Sequence, residues 1–235
     1  MELIIENMKK RFGEKEVLKD ITFTFDQGKI YGLLGRNGAG KTTFFNCLNE
    51  DIPIDQGAFY IKEGENRRKL TPEDIGYVLS TPNVPEFLTA REFLKFFLDI
   101  QNDKIKNLKT IETYFDFMKI EEADRDKLLK DYSHGMKNKM QMLVNMIASP
   151  AILLLDEPLT SFDVVVAEEM KQMLKNIKQD HILIFSTHIM ELALDLCDEI
   201  VILNQGRLEK VNKEHLDNEE LKEKIITALK EETNV

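Results

Sequence analysis

Apolar residues in this chain fall into several patterns, and each predicts a different element. Ile30-Tyr31-Gly32-Leu33-Leu34, Ala151-Ile152-Leu153-Leu154-Leu155 and the stretch 181–185 are short, nearly unbroken apolar runs. Such runs suit parallel strands buried on both faces. Phe23 and Phe25 alternate with Thr22 and Thr24, the period of a half-buried strand. Residues 3–5 and 21–25 therefore read as two short strands flanking a polar stretch, 9–20. Residues 58–61 and 75–79 predict two more strands. Residues 200–203 and 207–209, joined by Asn204-Gln205-Gly206, read as a hairpin.

Helical periodicity dominates elsewhere. Thr89 and Glu92 form a capping box, with Leu88 and Phe93 spaced as a hydrophobic staple. Phe93, Phe96, Phe97 and Ile100 follow at a 3.6-residue spacing, which predicts an inward-packing face. Charged helical patterns fill 103–131. Val166, Met170, Met173, Leu174 and Ile177 line one side of a predicted helix over 163–178, and 191–197 predicts another. Asp217 and Glu220 again have capping-box spacing, at the start of a charged tail. The fold class that results is α/β. A core from 1–82 and 151–210 carries a mainly parallel sheet and an N-terminal antiparallel β part, 83–150 is a helical insertion, and 211–235 is a helical tail.

Candidate chemistry sits at the ends of the apolar runs. The first leads directly into Gly35-Arg36-Asn37-Gly38-Ala39-Gly40-Lys41-Thr42, followed by Thr43 and a helix-compatible stretch. This is a G-x-x-x-x-G-K-[ST] phosphate loop in its required strand–loop–helix context. Gly35, Gly38 and Gly40 let the backbone curl so that N–H groups line an anion-sized hollow. Lys41 is then placed to reach the outer phosphates, and the Thr42 hydroxyl to ligate Mg²⁺. The run 151–155 ends in Asp156-Glu157. A buried strand cannot hold unpaired carboxylates in its interior, so they belong at its carboxyl end, where parallel sheets collect ligands. Asp156 is the candidate for Mg²⁺, and Glu157 for polarising a water in line with the γ-phosphate. The run 181–185 ends in Ser186-Thr187-His188, and His188 at this third strand end is read as a γ-phosphate contact.

Composition narrows the classes. The 235 residues suffice for a sizeable core. A formal net charge of −10 argues against a protein whose main work is gripping nucleic acid. Cys47 and Cys197 lack C-x-x-C spacing and read as buried thiols of a reducing compartment. The N-terminus has no signal-like pattern, and no window approaches the roughly 18 apolar residues of a membrane span. A cytoplasmic location is expected.

Together these residues resemble the ATP-binding subunit of an ATP-binding cassette (ABC) transporter over nearly the whole chain. Tyr132-Ser133-His134-Gly135-Met136 resembles the family's L-S-G-G-Q signature. The apolar positions Met140, Leu143, Val144 and Ile147 continue it as a helix. The resemblance implies that Ser133 and Gly135 bond the γ-phosphate of an ATP held by a second subunit of a head-to-tail dimer. It implies that Phe12 stacks on adenine, although a core ring is the alternative at that position. Leu159 to Asp163 is similar to the D-loop, whose aspartate couples the two sites, and Asp163 equally reads as a helix N-cap. His188 is similar to the switch histidine. Two positions depart from the family pattern. Ser80 stands where a glutamine normally contacts Mg²⁺, which it reaches only through water, and His134 stands in place of the first signature glycine.

The resemblance implies an ATPase that uses ATP and Mg²⁺ and dimerises, a homodimer being expected. It works with a separate integral membrane permease on the cytoplasmic face of the membrane. The segment 80–87 and the helical insertion would grip that permease, and the chain's length favours an export-type subunit. Two alternatives stay open: a soluble ABC-type ATPase in a non-transport role, and a module that uses ATP only to dimerise.

Overall fold

Strands without polar side chains must be covered on both faces, and the chain folds to cover them. The computed structural model describes residues 1–103, 105, 108–159, 162, 164–211 and 218–230. Their strands are β1 (Glu2–Phe12), β2 (Lys15–Asp26), β3 (Ile30–Leu34), β4 (Gln56–Glu63), β5 (Asn66–Arg68), β6 (Ile75–Val78), β7 (Ile152–Asp156), β8 (Ile182–Thr187), β9 (Glu199–Asn204) and β10 (Arg207–Val211). The α-helices are α1 (Lys41–Leu48), α2 (Ala90–Gln101), α3 (Ile111–Phe117), α4 (Glu122–Arg125), α5 (His134–Ala148), α6 (Val164–Ile177), α7 (Met190–Leu196) and α8 (Asn218–Lys230). One sheet has the order β10-β9-β3-β8-β7-β6 and is parallel except for β10. The other, β2-β1-β4-β5, is antiparallel throughout.

Side chains of the parallel strands alternate between two cores. Leu34, Leu153, Leu155, Leu183 and Phe185 point to one, with residues of α2, α3, α5, α6, α7 and α8. Tyr31, Leu33, Leu154, Ile182 and Ile184 point to the other, shared with β1, β2, β4 and α1. Gly32 lies where α7 crosses β3. A Cβ there would stand 2.8 Å from Cys197 Sγ, so the close approach requires glycine. Both cysteines are buried, and burial pushes the Cys47 thiol up to about 11.

Several expectations change. The stretch 9–20 is not a polar connection between short strands, because β1 and β2 continue through it as one hairpin, with Phe12 paired to Lys15. An antiparallel ribbon needs only one covered face, so polar residues can occupy the other. The ladder bends where Asn7 and Asp20 adopt positive φ, their side chains bonded to each other at 2.8 Å. Strand β5 had no sequence signal. The hairpin near the C-terminus does form, with Gln205 and Gly206 both at positive φ, as a two-residue primed turn requires.

Helix α2 begins as expected. Thr89 Oγ1 accepts from the Glu92 N–H, and the Glu92 carboxylate accepts from the Thr89 N–H at 2.8 Å. Its buried face, however, is Ala90, Leu94 and Leu98, with Phe93 and Phe97 beside them, while Phe96 and Ile100 are exposed. Apolar residues cover too wide an arc of this helix for period alone to select the inner stripe. Between β6 and β7 the described residues form helices α2 to α5 and a short 3₁₀ turn at Leu129–Asp131. Asp163 and Asp217, with the capping roles proposed for them, lie outside the described residues.

The orientation of α2 is testable. Leu94→Ala should lower stability by about 2–5 kcal/mol, whereas Phe96→Ala should change it by about 0.5 kcal/mol or less. Denaturant midpoints at constant m-value report both, and a larger loss for Phe96→Ala than for Leu94→Ala would mean that the Phe96 face is the buried one.

Candidate functional site

The register of three neighbouring strands assembles the site. Leu34 at the end of β3 pairs with Thr187 of β8, and Asp156 at the end of β7 pairs with Ser186 of β8. The loop after β3, the acids after β7 and the histidine after β8 therefore emerge side by side.

The loop 35–40 leads into α1 through Gly40, whose φ is +107° and whose absent Cβ would lie 2.9 Å from Val17 Cγ1. No side-chain cap covers the first turn of α1, so its N–H groups and positive dipole end face the loop. Lys41 is buried, and its Nζ donates to the carbonyls of Gly35 at 2.7 Å and Arg36 at 3.3 Å. Burial holds its ammonium below the ordinary lysine range, against the opposing pull of the Glu157 and Asp156 carboxylates. Ala39 N–H closes the loop onto Arg36 O at 3.1 Å.

Asp156 is nearly fully buried and held from two sides. Thr42 Oγ1 donates to its Oδ2 at 2.9 Å, and Ser186 Oγ donates to its Oδ1. Glu157 follows with φ +49°, a left-handed conformation unusual for a side chain of its size. Its N–H donates to both Ser186 O at 3.2 Å and Ser186 Oγ at 3.1 Å. Its carboxylate meets His188 Nδ1 at 3.0 Å.

These groups border a cleft of about 430 Å³ lined by Phe12, Asn37, Gly38, Gly40, Lys41, Thr42, Thr43 and Glu157, with Lys15 and Val17. Asp156 and His188 join it through their bonds to Thr42 and Glu157. Ser133 and Gly135 are elsewhere, at the start of α5, where Ser133 Oγ caps the helix by accepting from Met136 N–H at 3.2 Å. Ser80 lies just beyond β6, and its carbonyl meets His134 Nε2 at 3.2 Å. Neither Ser80 nor the signature residues are among those lining the cleft. Sequence reading assigned no role to Ser186. The one available signal was a hydroxyl ending an apolar run beside the acid-bearing strand, and it acquires meaning only through the β7–β8 register.

The donor set suits Mg²⁺. Thr42 and Asp156 bring a hydroxyl and a carboxylate together, and Mg²⁺ prefers such hard oxygens. Among the described residues no trio of His, Cys, Asp or Glu could enclose a metal. A cation here would complete its shell with phosphate and water, as nucleotide-bound Mg²⁺ does.

Comparison with known proteins identifies the family and the fold. The family model described as "ABC transporter" matches residues 18–160. The uncharacterized ABC transporter ATP-binding protein MJ1023 of Methanocaldococcus jannaschii is 33% identical, over 94% of this chain and 86% of the relative. The bacitracin transport ATP-binding protein BcrA of Enterococcus faecalis is 30% identical, over 90% of this chain and 70% of its own length. Among solved structures, the dimeric post-hydrolysis state of the cassette MJ0796 bound to ADP and Pi superposes with a TM-score of 0.74 at 22% identity, covering 89% of this chain and 99% of that one. With the phosphate loop, the paired acids and the strand-end histidine converging on one cleft, the chain belongs to the ABC transporter family, as one of its ATP-binding, ATPase subunits.

Proposed function

We propose that this chain powers an exporter by hydrolysing Mg²⁺–ATP between two copies of itself, on the cytoplasmic face of a membrane, through a separate permease. The observation carrying the ATPase part is the arrangement at the ends of β3, β7 and β8, where Lys41, Asp156, Glu157 and His188 meet at one cleft.

In this reading the N–H groups of residues 35–43 and the Lys41 ammonium take the phosphates, and Phe12 takes the adenine. Lys41 exchanges the carbonyls of Gly35 and Arg36 for phosphate oxygens, a stronger, charge-assisted pairing. Thr42 and Asp156 would hold Mg²⁺, which supplies charge neutralisation on the phosphates. Glu157 accepts a proton from the attacking water. The water oxygen bonds to the γ-phosphorus as the bond to the β-phosphate oxygen breaks. The His188 bond fixes the Glu157 carboxylate and leaves Nε2 for the γ-phosphate. Ser133 and Gly135 serve the partner copy's ATP, so hydrolysis requires closure.

Support for the permease comes from the helical segment. Phe96 and Ile100, one turn apart on α2, are exposed by 57% and 61%, and Phe87, just before the helix, by 79%; these side chains are taken as the permease-contact face. Among the described residues no helix is long and apolar enough to cross a membrane. Export is the direction chosen in this reading; the relatives include a bacitracin transport protein and sulfate/thiosulfate import proteins.

Glu157→Gln should reduce steady-state ATPase by at least about 100-fold while ATP binding persists and an ATP-dependent dimer accumulates on size-exclusion chromatography. Unchanged turnover would remove Glu157 from the role. Ser186→Ala should lower kcat by about tenfold or more, because the hydroxyl orients both acids, with little change in KM. A pure KM effect would assign Ser186 to nucleotide binding instead. Phe87→Asp should abolish co-purification with the membrane permease while leaving ATP affinity unchanged. Retained co-purification would move the docking face elsewhere.

A further inference from the structure

Lys10 is an oddity of β1. Leu3, Ile5, Met8 and Lys10 are the inward positions of this strand, and the first three are fully buried apolar residues. Lys10 is itself only 8% exposed. An ammonium in such a place must be paired or it costs several kcal/mol. Its Nζ donates to Pro53 O at 2.7 Å and to Asp55 Oδ1 at 3.4 Å.

The same loop grips the strand at two further points. Asp55 Oδ2 accepts from the Arg11 N–H at 2.7 Å, and the Asp55 N–H donates to Lys9 O at 2.9 Å. The Arg11 N–H, with help from Lys10, holds the Asp55 carboxyl below the usual carboxylate range. The β1–β2 ladder shifts register on both sides of Lys10, the kind of irregularity that re-aims a side chain.

What this clamp presents is Phe12. The Lys10 ammonium lies 5.3 Å from the Phe12 ring centroid, and the ring is half exposed where it lines the nucleotide cleft. A half-exposed phenyl group at a strand end samples several rotamers, and a ligand that stacks on it must freeze one of them. A cation held in place by two oxygens gives the ring a preferred pose, because the attraction acts on the ring face and weakens when the ring turns edge-on. The ring face not engaged by Lys10 is then available to a planar base.

We propose that Lys10 is a positioning residue for base recognition: pinned by Pro53 and Asp55, its ammonium holds Phe12 in the orientation that stacks on the nucleotide's base. This rests on the reading of Phe12 as the adenine platform, and it adds a determinant outside the phosphate loop that acts on the base alone.

Binding of ATP and of magnesium tripolyphosphate to the full chain separates the possibilities, because tripolyphosphate has the phosphates without the base. Lys10→Met should weaken ATP by about fivefold, leave tripolyphosphate unchanged, and raise KM with kcat preserved. Lys10→Arg, which keeps a cation over the ring, should restore most of the loss. Asp55→Asn should produce a smaller loss of the same base-dependent kind, and it carries the test if Lys10→Met does not fold. Phe12→Ala is the control for the underlying reading. If it leaves ATP affinity intact, Phe12 is not the platform and the proposal falls with it. If Phe12→Ala loses base-dependent affinity while Lys10→Met and Asp55→Asn do not, the platform stands and the role of Lys10 is overturned. Equal weakening of ATP and tripolyphosphate by Lys10→Met would likewise overturn it, by marking Lys10 as a structural residue only.

Discussion

The constraint on which the structure depends is that β3, β8 and β7 lie side by side with both faces covered. Every side chain from Ile30 to Leu34 and from Ile152 to Leu155 is buried, and neither face of these strands can accept an unpaired charge. Polar chemistry is therefore displaced to the carboxyl ends, where the ladder stops and the chain turns. Since the three strands are parallel neighbours in fixed register, what each carries at its end is brought to one place. The loop before α1, the acids after β7 and the histidine after β8 meet because the strands that deliver them cannot slip by one residue without exchanging their two cores.

The same burial sets the electrostatics. Lys41 and Asp156 are both buried, within a few residues of open cleft. A buried ammonium disfavours its own charge, and the nearby carboxylates oppose that effect without overcoming it. A triphosphate with its metal would alter that balance sharply, since each charge then gains partners in a site shielded from water. Glu157 is treated differently. Its left-handed backbone costs roughly 1–2 kcal/mol for a non-glycine residue, and it persists because Ser186 accepts its N–H twice and His188 holds its carboxylate. Strain kept at a residue by three surrounding contacts points to a requirement for that orientation.

Much of this was legible in the amino-acid sequence for a physical reason. Apolar runs of about five residues bounded by turn-forming residues favour interior strands, and a glycine-rich loop or an acid pair after such a run has few places to go. What resisted reading was surface that is half apolar or strand that is half polar. The polar stretch 9–20 hides the continuation of β1 and β2, because an antiparallel ribbon with one solvated face looks like a loop wherever charged residues cluster. Helix α2 carries apolar residues over most of its circumference, and only packing shows that Leu94 and Leu98, not Phe96 and Ile100, go inward. Ser186 was invisible for another reason: its role exists only across the β7–β8 pairing, and no local pattern reports a partner on another strand.

The two positions that depart from the family pattern turn out to touch. His134 opens α5 and meets the carbonyl of Ser80, while Lys137, one turn later, pairs with Glu86. The first turn of α5 is thus tied twice to the segment that follows β6. The tie at Ser80 uses the main chain, so it does not depend on which side chain position 80 carries. A long side chain there would be one way to connect the edge strand to the helical segment; here an imidazole reaches back from the helix and makes the connection from the other side. Ser133, which caps α5, sits within this bonded unit. Two polar contacts, one to a main-chain carbonyl and one an ion pair, thus join the 80–86 segment to the α5 N-terminus, and hydrogen bonds fix direction as well as distance.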